Sequence, residues 1–285
     1  MLVAVAGEKG SPGATTTAVA LAASWPGPAV VVEADPAGGD LALRLRLPSG
    51  EALPPTPTVL TLAAAARAHP DDAQLVVRHA SGMSDQMGVI PGPMMSEQIA
   101  GIAGSWDALA AALACSQLDV VVDVGRLDTS SPAMPIAAAA DVVVVVGRPT
   151  ESGGVRLRER VKALGPTLSA RRGRPAMVWP VVVAPPRHAE DYAADLEHLL
   201  SAAGIRPVGV SHIANDPAAA SRIEAGENPT GRMLRTPLLR SAKELGALLI
   251  PLGARRETPT PAGQPPNGDG PQGPSHRLNT NQAVV

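Results

Sequence analysis

The sequence has no phenylalanine, one tyrosine (Tyr192) and three tryptophans (Trp25, Trp106, Trp179), so aromatic residues make up 1% of it. Hydrophobic residues still reach 45%. The core is therefore expected to be built from Val, Leu, Ile, Ala and Met. With so few rings, stacking on bases is a poor mode for holding nucleic acid. Cys115 is the only cysteine. That excludes an intrachain disulfide and a cysteine-based metal site, and it fits a reducing cytoplasm. The six histidines show no metal-ligand spacing on a common element, and no Ser-His-Asp arrangement can be read. Lysine is scarce, 3 residues against 21 arginines, which makes Lys9 conspicuous. A net charge of −2 implies neither a nucleic-acid coat nor an acidic tail. The longest apolar runs are broken by Asp141 and by prolines, so no membrane span is expected. No charged region precedes the first apolar segment, so no signal peptide is expected either.

What is present is a repeated alternation of Val-rich runs and helical stretches. Leu2-Val3-Ala4-Val5-Ala6 reads as a buried strand, and residues 15–24 read as a helix. Between them lies Gly7-Glu8-Lys9-Gly10-Ser11-Pro12-Gly13-Ala14-Thr15-Thr16. A glycine loop between strand and helix can cradle phosphate, because backbone N–H groups and the helix N-terminus converge there. The ordinary motif G-x-x-x-x-G-K-[ST] requires lysine where this sequence has Ala14.

Further strands are expected at 29–35, 118–123, 141–146, 176–184 and 206–212, and 87–93 reads as a short strand running into a turn. Helices are expected at 59–68, 71–79, 96–116 (interrupted near Gly104), 152–164, 189–203, 217–224 and 236–249. Continuous apolar strands alternating with helices predict an α/β fold with a doubly wound, mostly parallel sheet and helices on both faces. Residues 1–253 are expected to form this P-loop domain. Residues 254–285, rich in Pro, Gly, Asn, Gln and Thr, read as a disordered tail.

Three elements fall where one nucleotide site would need them: the loop at 9–16, Asp35 after the second strand, and Asp123 at the end of a Val-rich strand. Thr15 is placed to offer its hydroxyl to Mg²⁺, and Asp123 to reach it directly or through water. A tight turn explains a lone glycine loop, and solvation or helix capping explains a lone strand-end Asp. Three in this order form a more specific joint signal.

On these residues the sequence resembles the ParA/MinD family of deviant Walker A ATPases, whose loop runs K-G-G-x-G-K-T-T. The resemblance covers about 1–250. It implies that Gly10, Ser11, Pro12, Gly13, Ala14, Thr15 and Thr16 hold ATP or ADP with Mg²⁺. It implies that Lys9 is the signature lysine reaching a partner's phosphates across a homodimer. Glu33-Ala34-Asp35 matches the family's D-x-D, so Asp35 would orient the attacking water. Val208 to Asp216 resembles a later strand and loop of the family. The Met87–Pro93 turn and the Gly39-Asp40 context look closest to the pilus-associated CpaE/TadZ-like branch. The resemblance further implies a role in positioning, partitioning or assembling a protein partner.

The departures bear on activity. Ala14 removes the lysine that stabilises the transition state, so hydrolysis is expected to be weak or lost. Ala184-Pro185-Pro186 stands where the family often has an adenine-reading Asn. Lys9 in trans, or Arg126 or Arg148 from strand ends, offers compensation; for both arginines an ordinary solvated loop residue is the favoured reading. Two rivals remain at this stage: a nucleotide-independent dimeric scaffold, and an active ATPase using Lys9 in trans. Arg156, Arg158, Arg160, Lys162, Arg171, Arg172 and Arg174 fit either a nonspecific DNA-phosphate surface or a solvated helix face. A proline-broken C-terminal segment cannot form an amphipathic membrane anchor.

Overall fold

A computed structural model describes residues 1–9, 13–227 and 229–253, all of which belong to a single compact unit. The expected tail lies outside the described residues. In order, the chain forms β1 (Leu2–Gly7), α1 (Ala14–Ala23), β2 (Ala29–Glu33), α2 (Leu41–Arg44), α3 (Val59–Ala68), α4 (Leu75–His79) and β3 (Ser81–Gly82). Next come β4 (Met87–Ile90), α5 (Ser96–Ala100), α6 (Trp106–Cys115), β5 (Asp119–Arg126), α7 (Met134–Ala139) and β6 (Val142–Gly147). It closes with α8 (Glu151–Arg172), β7 (Val178–Ala184), α9 (Ala189–Ala202), β8 (Ser211–Ala214), α10 (Pro217–Glu224) and α11 (Pro237–Gly253).

The strands form one eight-stranded sheet in the order β3-β4-β2-β5-β1-β6-β7-β8. Every pairing is parallel except β3 with β4. The expected doubly wound sheet is therefore what forms. Its cause is visible in β1, β5 and β6, where successive side chains enter opposite layers. Leu2, Ala4 and Ala6 join Val120, Val122, Val143 and Val145 under α3, α6, α7, α8 and α9. Val3 and Val5 join Val121, Val142 and Val144 under α1, α10 and α11. Both faces are dry, which is why the strands read as continuous apolar runs.

All three tryptophans are buried: Trp106 in the first layer, Trp25 and Trp179 in the second. Trp25 donates its indole N–H to Asp119 (2.7 Å) and Trp179 donates to Ser211 (3.0 Å), so their polar ends are satisfied.

The structure corrects several expected boundaries. α8 runs to Arg172 rather than stopping near 164, passing through Pro166. Proline removes one helical hydrogen bond, but Leu157, Val161, Leu164 and Leu168 are buried at helical spacing and hold the helix through it. β8 starts at Ser211, later than expected. α7 carries no clear period in sequence, yet Met134, Ile136 and Ala137 are buried. Among the described residues, no helix is long and apolar enough to cross a membrane.

Candidate functional site

The carboxyl ends of β1, β2 and β5 converge with the head of α1 around a cavity of 620 Å³. In open α/β sheets this edge is where ligands sit. Its lining includes Gly13, Ala14, Thr15, Thr16, Asp35 and Asp123, so the structure brings together most of the residues singled out from sequence. Gly10, Ser11 and Pro12 lie outside the described residues. Lys9 is exposed and borders a separate cavity of 260 Å³, with Glu8, Arg126, Arg156 and Arg160.

Gly13 starts α1 in a left-handed conformation (φ 95°), which glycine adopts without steric cost. Ala14 is buried at the position of the missing lysine. The next residue, Thr15, sets its hydroxyl beside the Asp123 carboxylate and favours the ionised form. Asp123 accepts from the Gly125 N–H at 3.0 Å. Burial pushes Asp123 up to about 6, against the pull of the Thr15 hydroxyl and the Gly125 N–H and with a further push from the charge on Asp35. Asp35 accepts from the Ala37 N–H at 2.8 Å, and burial raises its pKa too.

Glu33 takes a different role from the acid it replaces in the D-x-D pattern. Its carboxylate accepts from the backbone N–H groups of Asp40 (2.9 Å), Leu41 (3.2 Å) and Gly92 (2.9 Å). It thereby ties the loop after β2 to the end of β4. Burial pushes it up to about 7, against those three backbone hydrogen bonds. Gly39 is needed here, since a Cβ would lie 2.0 Å from the Glu33 carboxyl carbon.

Arg44 escapes sequence reasoning altogether. It enters the cavity from α2, pairs with Glu224 of α10 and with Asp40 (3.2 Å), and donates to the Thr16 hydroxyl at 3.3 Å. Only the fold shows that a residue 28 positions from Thr16 touches it. Beyond this contact lies another cavity of 260 Å³, which shares Gly13 and Thr16 with the first and is lined also by Val183, Ile213, Asn215 and Asp216.

Four carboxylates (Glu33, Asp35, Asp40, Asp123) and two guanidinium groups (Arg44, Arg126) line the main cavity, a net charge of −2 when all are ionised. Such a lining repels a free polyphosphate and suits one carrying a divalent cation. Among the described residues there is no group of three His, Cys, Asp or Glu able to hold a metal ion. A Mg²⁺ here would depend on Thr15, Asp123, water and phosphate oxygens, and Mg²⁺ commonly keeps such a mixed shell.

The basic stretch is partly accounted for internally. Arg156 pairs with the buried Glu8 carboxylate at 3.0 Å, Arg160 donates to the Glu8 carbonyl at 3.3 Å, and Arg158 pairs with Glu159 at 2.7 Å.

The sheet order and the placing of α1 after β1 define an α/β fold of the P-loop type. More particularly, the chain has the fold of the ParA/MinD ATPases. A ParA family ATPase from Chlorobium tepidum superposes with a TM-score of 0.65 at 16% identity, covering 86% of this chain and 97% of that one. MinD from Pyrococcus horikoshii, complexed with Mg-ADP, gives 0.61 at 14% identity, covering 90% and 97%. Cyanothece McdA in complex with ATP gives 0.60 at 16% identity, covering 88% and 96%. No protein-family model matches the sequence, and no curated protein matches it.

Proposed function

We propose that this protein binds ATP or ADP with Mg²⁺ and acts, as a ParA/MinD-like homodimer, in positioning, partitioning or assembling a protein partner. The observation that carries this reading is the convergence of Thr15, Asp35 and Asp123 on one 620 Å³ cavity at the head of α1. Thr15 and Asp123 would hold Mg²⁺, and residues 10–16 would hold the phosphates. The adjoining cavity offers Asn215 and Asp216 to a base, in place of the Asn that is absent at 184–186. Asp35 would orient water, and Lys9, exposed and outside the main cavity, is free to act on a partner's nucleotide. Hydrolysis is slow or absent because Ala14 leaves the phosphates without the lysine that stabilises their developing charge.

Calorimetric titration tests this reading. Wild type is expected to bind Mg-ATP weakly and to lose binding when EDTA removes the metal. Ala14→Lys is expected to tighten Mg-ATP by about 10-fold or more, the value of one charge-assisted hydrogen bond. No binding by wild type, with binding restored in Ala14→Lys, supports the scaffold instead. Robust wild-type turnover abolished by Lys9→Ala supports an ATPase working in trans and ends the expectation of weak hydrolysis.

A further inference from the structure

Two guanidinium groups line the main cavity, and they are held very differently. Arg44 is occupied by Asp40, Glu224 and Thr16. Arg126 closes β5, directly after Gly125, where the pairing with β1 shifts register, and it lies in register with Gly7, where the phosphate loop begins. It is exposed, and among the described residues it forms no hydrogen bond and no ion pair. It lines both the 620 Å³ cavity and the neighbouring 260 Å³ one. The two other arginines of that smaller cavity are drawn off by Glu8: Arg156 by its carboxylate and Arg160 by its carbonyl.

Glu8 thus holds the two neighbouring cations, while Arg126, which feels the charge of Asp128, keeps its donors unengaged among the described residues and lines the same cavity as Asp123. Arg44 lies at Thr16, and its charge reaches Asp123. An arginine placed as Arg126 is can present two parallel N–H donors to phosphate oxygens, which a lysine cannot.

We propose that Arg126 supplies, within the same chain, the positive charge missing at Ala14, and that it contacts the terminal phosphate of a bound Mg–nucleoside triphosphate. The proposal rests on the nucleotide-binding reading above and adds a prediction specific to the third phosphate. It makes Arg126 a discriminator between triphosphate and diphosphate.

The test is titration of Mg-ATP and Mg-ADP into wild type, Arg126→Ala, Arg44→Ala and the double variant Ala14→Lys/Arg126→Ala. Arg126→Ala is expected to weaken Mg-ATP by about 10-fold or more and Mg-ADP by no more than about 3-fold, one charge-assisted contact being involved. Arg44→Ala is expected to weaken both to a similar degree, and Ala14→Lys is expected to restore Mg-ATP in the Arg126→Ala background. Because Arg126 is an exposed strand-end residue, its variant should melt with wild type. Equal losses for the two nucleotides, or no loss, overturn the proposal while leaving the nucleotide-binding reading intact. A wild type that binds neither nucleotide overturns that reading first, and the proposal with it.

Discussion

Glu33→Ala is expected to destabilise the protein by about 3–5 kcal/mol, lowering Tm by roughly 10 °C in a domain of this size. The Glu33 side chain is buried and is the acceptor for the Leu41 and Gly92 N–H groups inside the protein, and for Asp40 nearer the surface. Alanine leaves these donors without a partner. A buried orphan N–H costs about 1–3 kcal/mol each, and the two fully enclosed ones set the scale. Thermal melts decide the matter, and a shift below about 2 °C would show that water or a rearranged loop replaces the carboxylate.

The same residue gives the stability a pH dependence of defined sign. Burial raises Glu33 from an ordinary 4.5 to about 7 in the folded state. The folded protein therefore holds a proton that the unfolded chain has released. Its stabilising contribution is complete below about pH 4.5 and fades as pH rises through 7. Wild type should accordingly lose stability relative to Glu33→Gln between pH 5 and pH 8, by up to about 3 kcal/mol. Denaturant melts of both proteins at the two pH values measure the difference. A change of opposite sign would mean that the backbone hydrogen bonds outweigh the burial.

The second large effect is expected at Gly125. It adopts φ +61°, and a Cβ there would stand 2.0 Å from the Asp35 carboxyl carbon. Left-handed backbone costs a non-glycine residue about 1 kcal/mol, and the overlap adds to it. Gly125→Ala should therefore lose about 2–3 kcal/mol of stability and push Asp35 out of the cavity. The double variant Gly125→Ala/Asp35→Ala separates the causes. Removing the carboxylate relieves the collision but not the backbone strain, so the double variant should be more stable than Gly125→Ala alone. Additive losses in the cycle would mean that the two residues do not collide.

How much of this was legible in the sequence differs between the fold and the site. The Val-rich runs announce a two-faced parallel sheet because both faces of β1, β5 and β6 are dry. Thr15, Asp35 and Asp123 could be placed because each sits at a strand end or at the head of α1, where local pattern fixes position. Arg44 and Glu224 could not, since they meet across 180 positions through tertiary folding alone. The role of Glu33 was also hidden. In sequence it is only the first acid of the D-x-D match, yet its side chain accepts from the backbone of the loop after β2 and from Gly92. The extent of α8 was masked by Pro166, where the buried stripe of Leu157, Val161, Leu164 and Leu168 overrides the local signal.

The burial of the three tryptophans has a practical consequence. Trp106 reports on one helical layer, and Trp25 and Trp179 on the other, so intrinsic fluorescence monitors the collapse of both halves of the core. None of the three lines the 620 Å³ cavity. The chain is thus an optical sensor of its own unfolding with no indole in the cavity to report its occupancy, so ligand binding is better followed by heat or by a labelled nucleotide.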